Sequence, residues 1–261
     1  QTLRTDQDNG ILFQIPAGRS AEEIRGELLP FARRVNEALD ACGFPLCKGN
    51  VMASNPECCL SLQEWKQRFG RWIDQGTPEH LLNASIYFDF RPLLGDTAPV
   101  DELRAWMLSV VADNKRFLHQ MAANAMQHRP PLGLVRDFTL QSGGDHPNTI
   151  DLKVQGLTPF VDAARLMALA HGIGETNTPE RLRAAAEKRI IGAADAGAWI
   201  EAYHFIQLLR MRAHRTQAAE GQSLDNHINP DELNELDRRI LKEAFRQARK
   251  LQQSIALEYQ V

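Results

Sequence analysis

Apolar positions in this chain change period twice along its length. Ile11, Phe13 and Ile15 alternate with polar neighbours, the period of a strand with one buried face, and the spacing predicts a strand over residues 6–15. Pro16-Ala17-Gly18 ends it. Ser20 with Glu23 has capping-box spacing, and Ile24, Leu28, Phe31, Val35 and Leu39 then recur as the buried stripe of a helix. Pro30 lies inside that stripe and predicts a kink or two pieces; Gly43 is its stop. Residues 44–60 are irregular. Ser61 and Glu64 repeat the capping box ahead of Trp65, Phe69, Trp72 and Ile73, and Thr77-Pro78 opens a short helix. Ser85–Phe90 reads as a second strand, with Ser85, Tyr87 and Asp89 on one face.

After Pro92 the period becomes helical. Helices are expected over roughly 100–127, 158–171, 179–190, 195–219 and 230–258, with a short extended run at 150–154; Thr178-Pro179 and Asn229-Pro230 are clean starts. The fold class is therefore α+β: a small mixed-sheet domain over 1–97, then an all-α bundle of about five helices over 98–261.

The chain has 261 residues, is 43% apolar and carries a net charge of −3, which supports a real core and gives no sign of a nucleic-acid or membrane partner. No apolar run approaches the ~20 residues of a bilayer span. The four cysteines, Cys42, Cys47, Cys58 and Cys59, do not form a disulfide framework, and a cytoplasmic location is expected. Their spacing suits buried thiols better than paired zinc ligands.

Candidate chemistry lies in three carboxylates. In a strand, Asp6 and Asp8 project side by side, ~7 Å apart along the chain, at the head of an apolar run. Asp89 sits within Ile-Tyr-Phe-Asp-Phe, where a carboxylate is costly unless it reaches a strand edge, pairs with Arg91 or binds a metal. Together the three could hold a pair of Mg²⁺ ions on a nucleoside triphosphate; the Asp-x-Asp pair alone reads more readily as turn or capping residues. Lys48, Gly49 and Asn50 form a Gly-containing loop that could approach a nucleotide. Asp151 and Lys153 flank a short run, and Lys153 could reach phosphates or a surface ion pair. Arg210 and His214 share a helix face and could take an anion or be solvated, while Asn226 could simply organise a turn.

TDQDNGILF, CGFPLCKGNVMASNP, IYFDFRPLLGD, RPPLG, IDLKVQG and TNTPERL, in that order, resemble a bacterial family assigned as nucleotidyltransferases. Its members are often fused to CBS and cyclic-nucleotide-binding domains and are distant relatives of the uridylyl- and adenylyltransferases of nitrogen-regulatory proteins. The resemblance spans essentially the whole chain. It implies a DNA-polymerase-β-like nucleotidyltransferase domain followed by a helical substrate-binding domain. It further implies Asp6, Asp8 and Asp89 as catalytic metal ligands for two Mg²⁺ ions. Lys48, Asn50, Lys153 and Arg210 are then candidates for contacting the NTP. The implied reaction moves a nucleoside monophosphate to an acceptor hydroxyl, first of all on a protein, in a signalling context. The alternatives are a silent nucleotide sensor and a dimerisation module, so a homodimer stays open as a partner. The family pattern also carries a Gly-Ser turn shortly before the Asp-x-Asp. The chain begins downstream of that position, so it is expected to be a piece of a longer protein, lacking part of the phosphate cradle.

Overall fold

A computed structural model of the chain describes residues 6–133 and 137–261. Thr5, which opens the Asp-x-Asp motif, and residues 134–136, in the loop expected after residue 127, lie outside them. The chain forms two compact units. The first takes in residues up to Gln75 together with Arg91–Met107; the second is Gly76–Phe90 with Leu108–Val261.

In the first unit, β1 (Ile11–Phe13) pairs in parallel with β2 (Cys59–Ser61), Ile11 opposite Cys59. Between them runs α1 (Ala21–Ala41), started by the Ser20–Glu23 capping box, and Phe13, Ile24 and Cys59 form the core where helix meets strands. The helix continues through Pro30 as one element, because a proline removes a single backbone donor that the rest of a long helix tolerates. Its inner face differs from the expected stripe. Ile24, Ala32 and Asn36 are buried, whereas Phe31 and Val35 are exposed. With half-buried Leu28 the inward row runs 24, 28, 32, 36, in steps of four, and ends on a polar Asn, which apolar periodicity cannot register. The Ser61–Glu64 box opens α2 (Leu62–Gln75), which buries Trp65, Phe69, Trp72 and Ile73 as expected.

The expected strand at 85–90 is instead the end of a helix. Thr77 caps α3 (Pro78–Tyr87), and Leu81, Ala84 and Phe88 are buried at helical spacing while Ile86 is exposed. The local β-favouring composition loses to a cap and an inward face set seven residues earlier. α4 (Ala98–Asp113) and α5 (Lys115–Ala125) replace one long helix, divided where Asn114 caps Phe117.

The second unit holds α3, α5, α6 (Thr158–Ala170), α7 (Thr178–Glu187), α8 (Ala193–Ala219) and α9 (Glu235–Tyr259). Phe117, Phe160, Leu166, Leu182, Ile206 and Phe245 lie in its core. β3 (Ile150–Asp151) pairs antiparallel with β4 (His227–Ile228). A π-helical turn over Leu152–Leu157 leads into α6, with Asp151 accepting from the Lys153 and Val154 amides. At Gly156 an added Cβ would stand 3.0 Å from the Ile206 side chain, so a larger residue would press this turn against α8. Asn229-Pro230 begins a single 3₁₀ turn, and Asn234 caps α9 separately. No helix among the described residues is long and apolar enough to cross a membrane.

Candidate metal and nucleotide site

The Asp-Gln-Asp-Asn run lies just ahead of β1, and its alternating burial assigns two jobs. Gln7 is buried and Asn9 half-buried; Asp6 and Asp8 are exposed. The inward pair is tied down on all sides. The Gln7 amide nitrogen donates to the carbonyls of Asn36 and Phe44 at 2.9 and 2.8 Å. Asn36 Nδ2 donates to Gln7 Oε1 and Asn9 Oδ1 at 2.7 and 3.1 Å, and its own oxygen accepts from the Ser54 amide. Asn9 Oδ1 also accepts from the Ala53 amide. Backbone bonds from Gln7 to Pro45 and from Asn9 to Val51 join the run to the loop over 44–54. Gly10 completes the fit: a Cβ there would stand 2.9 Å from the Cys58 carbonyl oxygen.

This amide network fixes the backbone that carries the outward pair. One oxygen of Asp6, one of Asp8 and Cys47 Sγ all lie within 4.8 Å of one another, the one such group among the described residues. Two exposed carboxylates at that separation suit Mg²⁺, which is satisfied by one or two carboxylates, retained waters and substrate phosphates. The thiol is a poor ligand for so hard a cation. Burial, and secondarily the neighbouring Asp8 carboxylate, raises the Cys47 pKa, although backbone amides at Val51 and Gly49 oppose this. Cys47 is thus a protonated donor to Asp8 at neutral pH. It ends one side of a tight turn in which the Asn50 amide donates to the Cys47 carbonyl and Asn50 takes φ 56°, the left-handed region that asparagine tolerates. Lys48 and Asn50, both exposed, are therefore carried on the turn beside the acidic pair.

Asp89 has partners of its own. It follows α3 in the second unit, where Arg165 Nη2 donates to Oδ2 at 2.8 Å and Arg181 Nη2 to Oδ1 at 2.5 Å. Arg165 also pairs with Asp162 at 3.0 Å. Burial disfavours the Asp89 charge, but the two guanidinium groups outweigh it and hold the carboxyl below the usual carboxylate range. Asp162, with less compensation, is pushed upward by burial. Arg91, the partner considered from sequence, is not among these contacts; Arg165 and Arg181, 76 and 92 residues away, have no local signature.

Lys153 is exposed in the second unit, while Arg210 is buried there and donates from Nε to Asn226 Oδ1 at 2.5 Å. Burial lowers the Arg210 pKa, partly countered by Asp151. Cys42 is exposed and Cys58 and Cys59 are buried; all four cysteines are free thiols. Sequence reasoning overlooked Asn36, Gln7 and Asn9. The signal that could have found them is the row Ile24, Leu28, Ala32, Asn36, which continues the helix stripe at steps of four into a polar residue.

These features define an α+β protein with a carboxylate pair just ahead of the first strand of a small parallel sheet, accompanied by a helical unit. The sequence pattern described as "Putative nucleotidyltransferase DUF294" matches residues 1–79, and that described as "Putative nucleotidyltransferase substrate binding domain" matches residues 115–259. The second alone covers more than half of the chain, and the chain belongs to this nucleotidyltransferase family. No curated protein and no solved structure is significantly similar to it.

Proposed function

We propose that the chain carries out Mg²⁺-dependent transfer of a nucleoside monophosphate from an NTP to an acceptor hydroxyl, releasing pyrophosphate. The observation supporting this is the exposed Asp6/Asp8 pair, held by a buried amide network in a chain of nucleotidyltransferase ancestry. Asp6 and Asp8 would hold the metal. Bound Mg²⁺ supplies charge neutralisation for the triphosphate and the departing pyrophosphate. The protein's own part is positional: Gln7, Asn9 and Asn36 keep the carboxylates from swinging apart, and Cys47 orients Asp8 by donating to it. Lys48 offers an ammonium to phosphate oxygens from the adjoining turn. The helical unit, by its family description, would select the acceptor, which we take to be a protein side chain in a signalling setting. Asp89 has no part in this reading, because both its oxygens are engaged by arginines.

The test is calorimetric titration of each NTP with Mg²⁺ into wild type and Asp6→Ala/Asp8→Ala. Metal-dependent binding of one NTP, lost in the double variant with its melting unchanged, is the expected result. No binding by wild type sinks the proposal. A second reading, nucleotide binding without turnover, is favoured by one specific feature: both oxygens of Asp89, the third carboxylate the family resemblance implies, are engaged by Arg165 and Arg181. Pyrophosphate release with candidate acceptors separates the two.

A further inference from the structure

A row of polar residues runs along α8 where a bundle helix would ordinarily be apolar: Tyr203, Gln207, Arg210, His214 and Gln217, spaced by three or four and so on one face. Most of the row has partners. Gln207 donates to the Tyr203 hydroxyl at 3.0 Å. Gln217 exchanges two bonds with Asp225, at 3.0 and 3.1 Å, and Arg210 Nε donates to Asn226. The segment leading into β4 is thus fastened to α8 on both sides of His214.

His214 itself is 2% exposed, and neither ring nitrogen has a hydrogen-bond partner among the described residues. Arg210, one turn away and 9% exposed, donates from Nε to Asn226, and Asp151 and Tyr203 act on its charge. Leaving the two His214 nitrogens unpaired is expensive, since a buried polar group without a partner costs ~1–3 kcal/mol. Asp151, the carboxylate that acts on Arg210, also has other partners: Oδ1 accepts from two backbone amides, and Oδ2 lies 3.9 Å from His227 Nε2.

We propose that Arg210 and His214 form a binding site for a tetrahedral oxyanion, a phosphoryl group. The chemistry matches atom by atom. The guanidinium fork presents two donors that pair with two phosphoryl oxygens, and the imidazole, one nitrogen a donor and the other an acceptor, matches a group bearing both P–O⁻ and P–OH. Asn226 sets the plane of the fork by holding Nε. This inference stands independently of nucleotidyl transfer. Free phosphate and the phosphoryl end of a nucleotide share this chemistry.

The experiment is NMR of the histidine imidazoles in the full chain during titration with inorganic phosphate, with adenosine 5′-monophosphate, and with chloride at matched ionic strength. His119, exposed on α5, is the internal reference. Saturable movement of the His214 signals, without movement at His119, is expected at concentrations up to about 20 mM, the range of a weak single-site ligand. Phosphate alone producing it assigns free phosphate; the nucleotide producing it at lower concentration assigns a phosphoryl end carried by a larger ligand. Arg210→Gln should weaken the response at least tenfold, and Arg212→Gln, half-exposed on the same helix, should not. No saturable response of His214 to either ligand, or the same response to chloride, overturns the proposal. That wild-type titration decides even if Arg210→Gln fails to fold.

Discussion

Asn36 links sequence to site most directly, because one side chain serves a helix, a strand and a loop. It is 2% exposed and makes side-chain bonds to Gln7, Asn9 and the Ser54 amide. Removing it in Asn36→Ala strands the Gln7 carbonyl oxygen and the Ser54 amide. At ~1–3 kcal/mol for a buried group left unpaired, a loss of about 2–3 kcal/mol in urea denaturation is expected. Metal-dependent NTP binding should weaken by about tenfold or more, as for other residues that orient metal ligands. Asp6→Ala/Asp8→Ala should behave oppositely, losing binding while changing stability by less than about 0.5 kcal/mol, because both side chains are exposed. If Asn36→Ala melts and binds like wild type, the network is not what aims the carboxylates. At this scale the outward pair was legible from a two-residue alternation. The inward amides were not: nothing in the local chain says which asparagine, 27 residues further on, will meet Asn9.

At the scale of elements, caps proved more informative than composition. Ser20/Glu23, Ser61/Glu64 and Thr77-Pro78 each open a helix where the sequence placed one. Ile-Tyr-Phe-Asp-Phe misled because β-propensity reports fit to a half-buried pleated surface, and here a capped helix had already fixed the inward face. The consequence concerns Asp89, which joins the end of α3 to Arg165 on α6 and Arg181 on α7. Its side chain is 26% exposed and those of the arginines 8% and 3%, so the pair is largely desolvated. Asp89→Asn leaves the buried Arg181 without its counter-charge and Arg165 with Asp162 alone, and should cost about 3–5 kcal/mol. The pH dependence has a definite sign. The Asp89 pKa is lowered in the folded protein, so its stabilisation is complete above the unfolded value, about 3.9, and is lost as pH falls through the folded value below it. Asp162, raised by burial, pulls the other way as pH falls. The gap in stability between wild type and Asp89→Asn should therefore be constant from pH 7 to about 4.5 and close at lower pH. A gap that stays constant down to pH 2 means that the ionised carboxylate is not what the arginines hold.

At the scale of the whole molecule, the sequence conveyed a helical chain with a small sheet component, because long periodic segments need no knowledge of partners. It could not convey that residues 76–90 pack with the later helices while 91–107 pack with the first unit, since that exchange is decided by long-range contacts. The two units divide the proposed chemistry between them: an acidic pair that suits a cation in the first, and in the second an arginine held through Nε beside a buried histidine with no partner among the described residues. Ligands should then stabilise the protein separately. A ligand at a hundred times its Kd adds ~2.7 kcal/mol to the unit that binds it, and hydrogen exchange resolves where. Mg²⁺ with NTP should protect amides at 7–13 and 47–54, whose backbone bonds surround Asp6 and Asp8. Inorganic phosphate should protect the last turns of α8 and residues 224–228, where Arg210 and Gln217 are fastened to Asn226 and Asp225. Asp6→Ala/Asp8→Ala should abolish the first effect and spare the second; Arg210→Gln should do the reverse. Protection by Mg²⁺–NTP confined to α8 and residues 224–228 would move the nucleotide to the helical unit and remove the basis for placing the metal on Asp6 and Asp8.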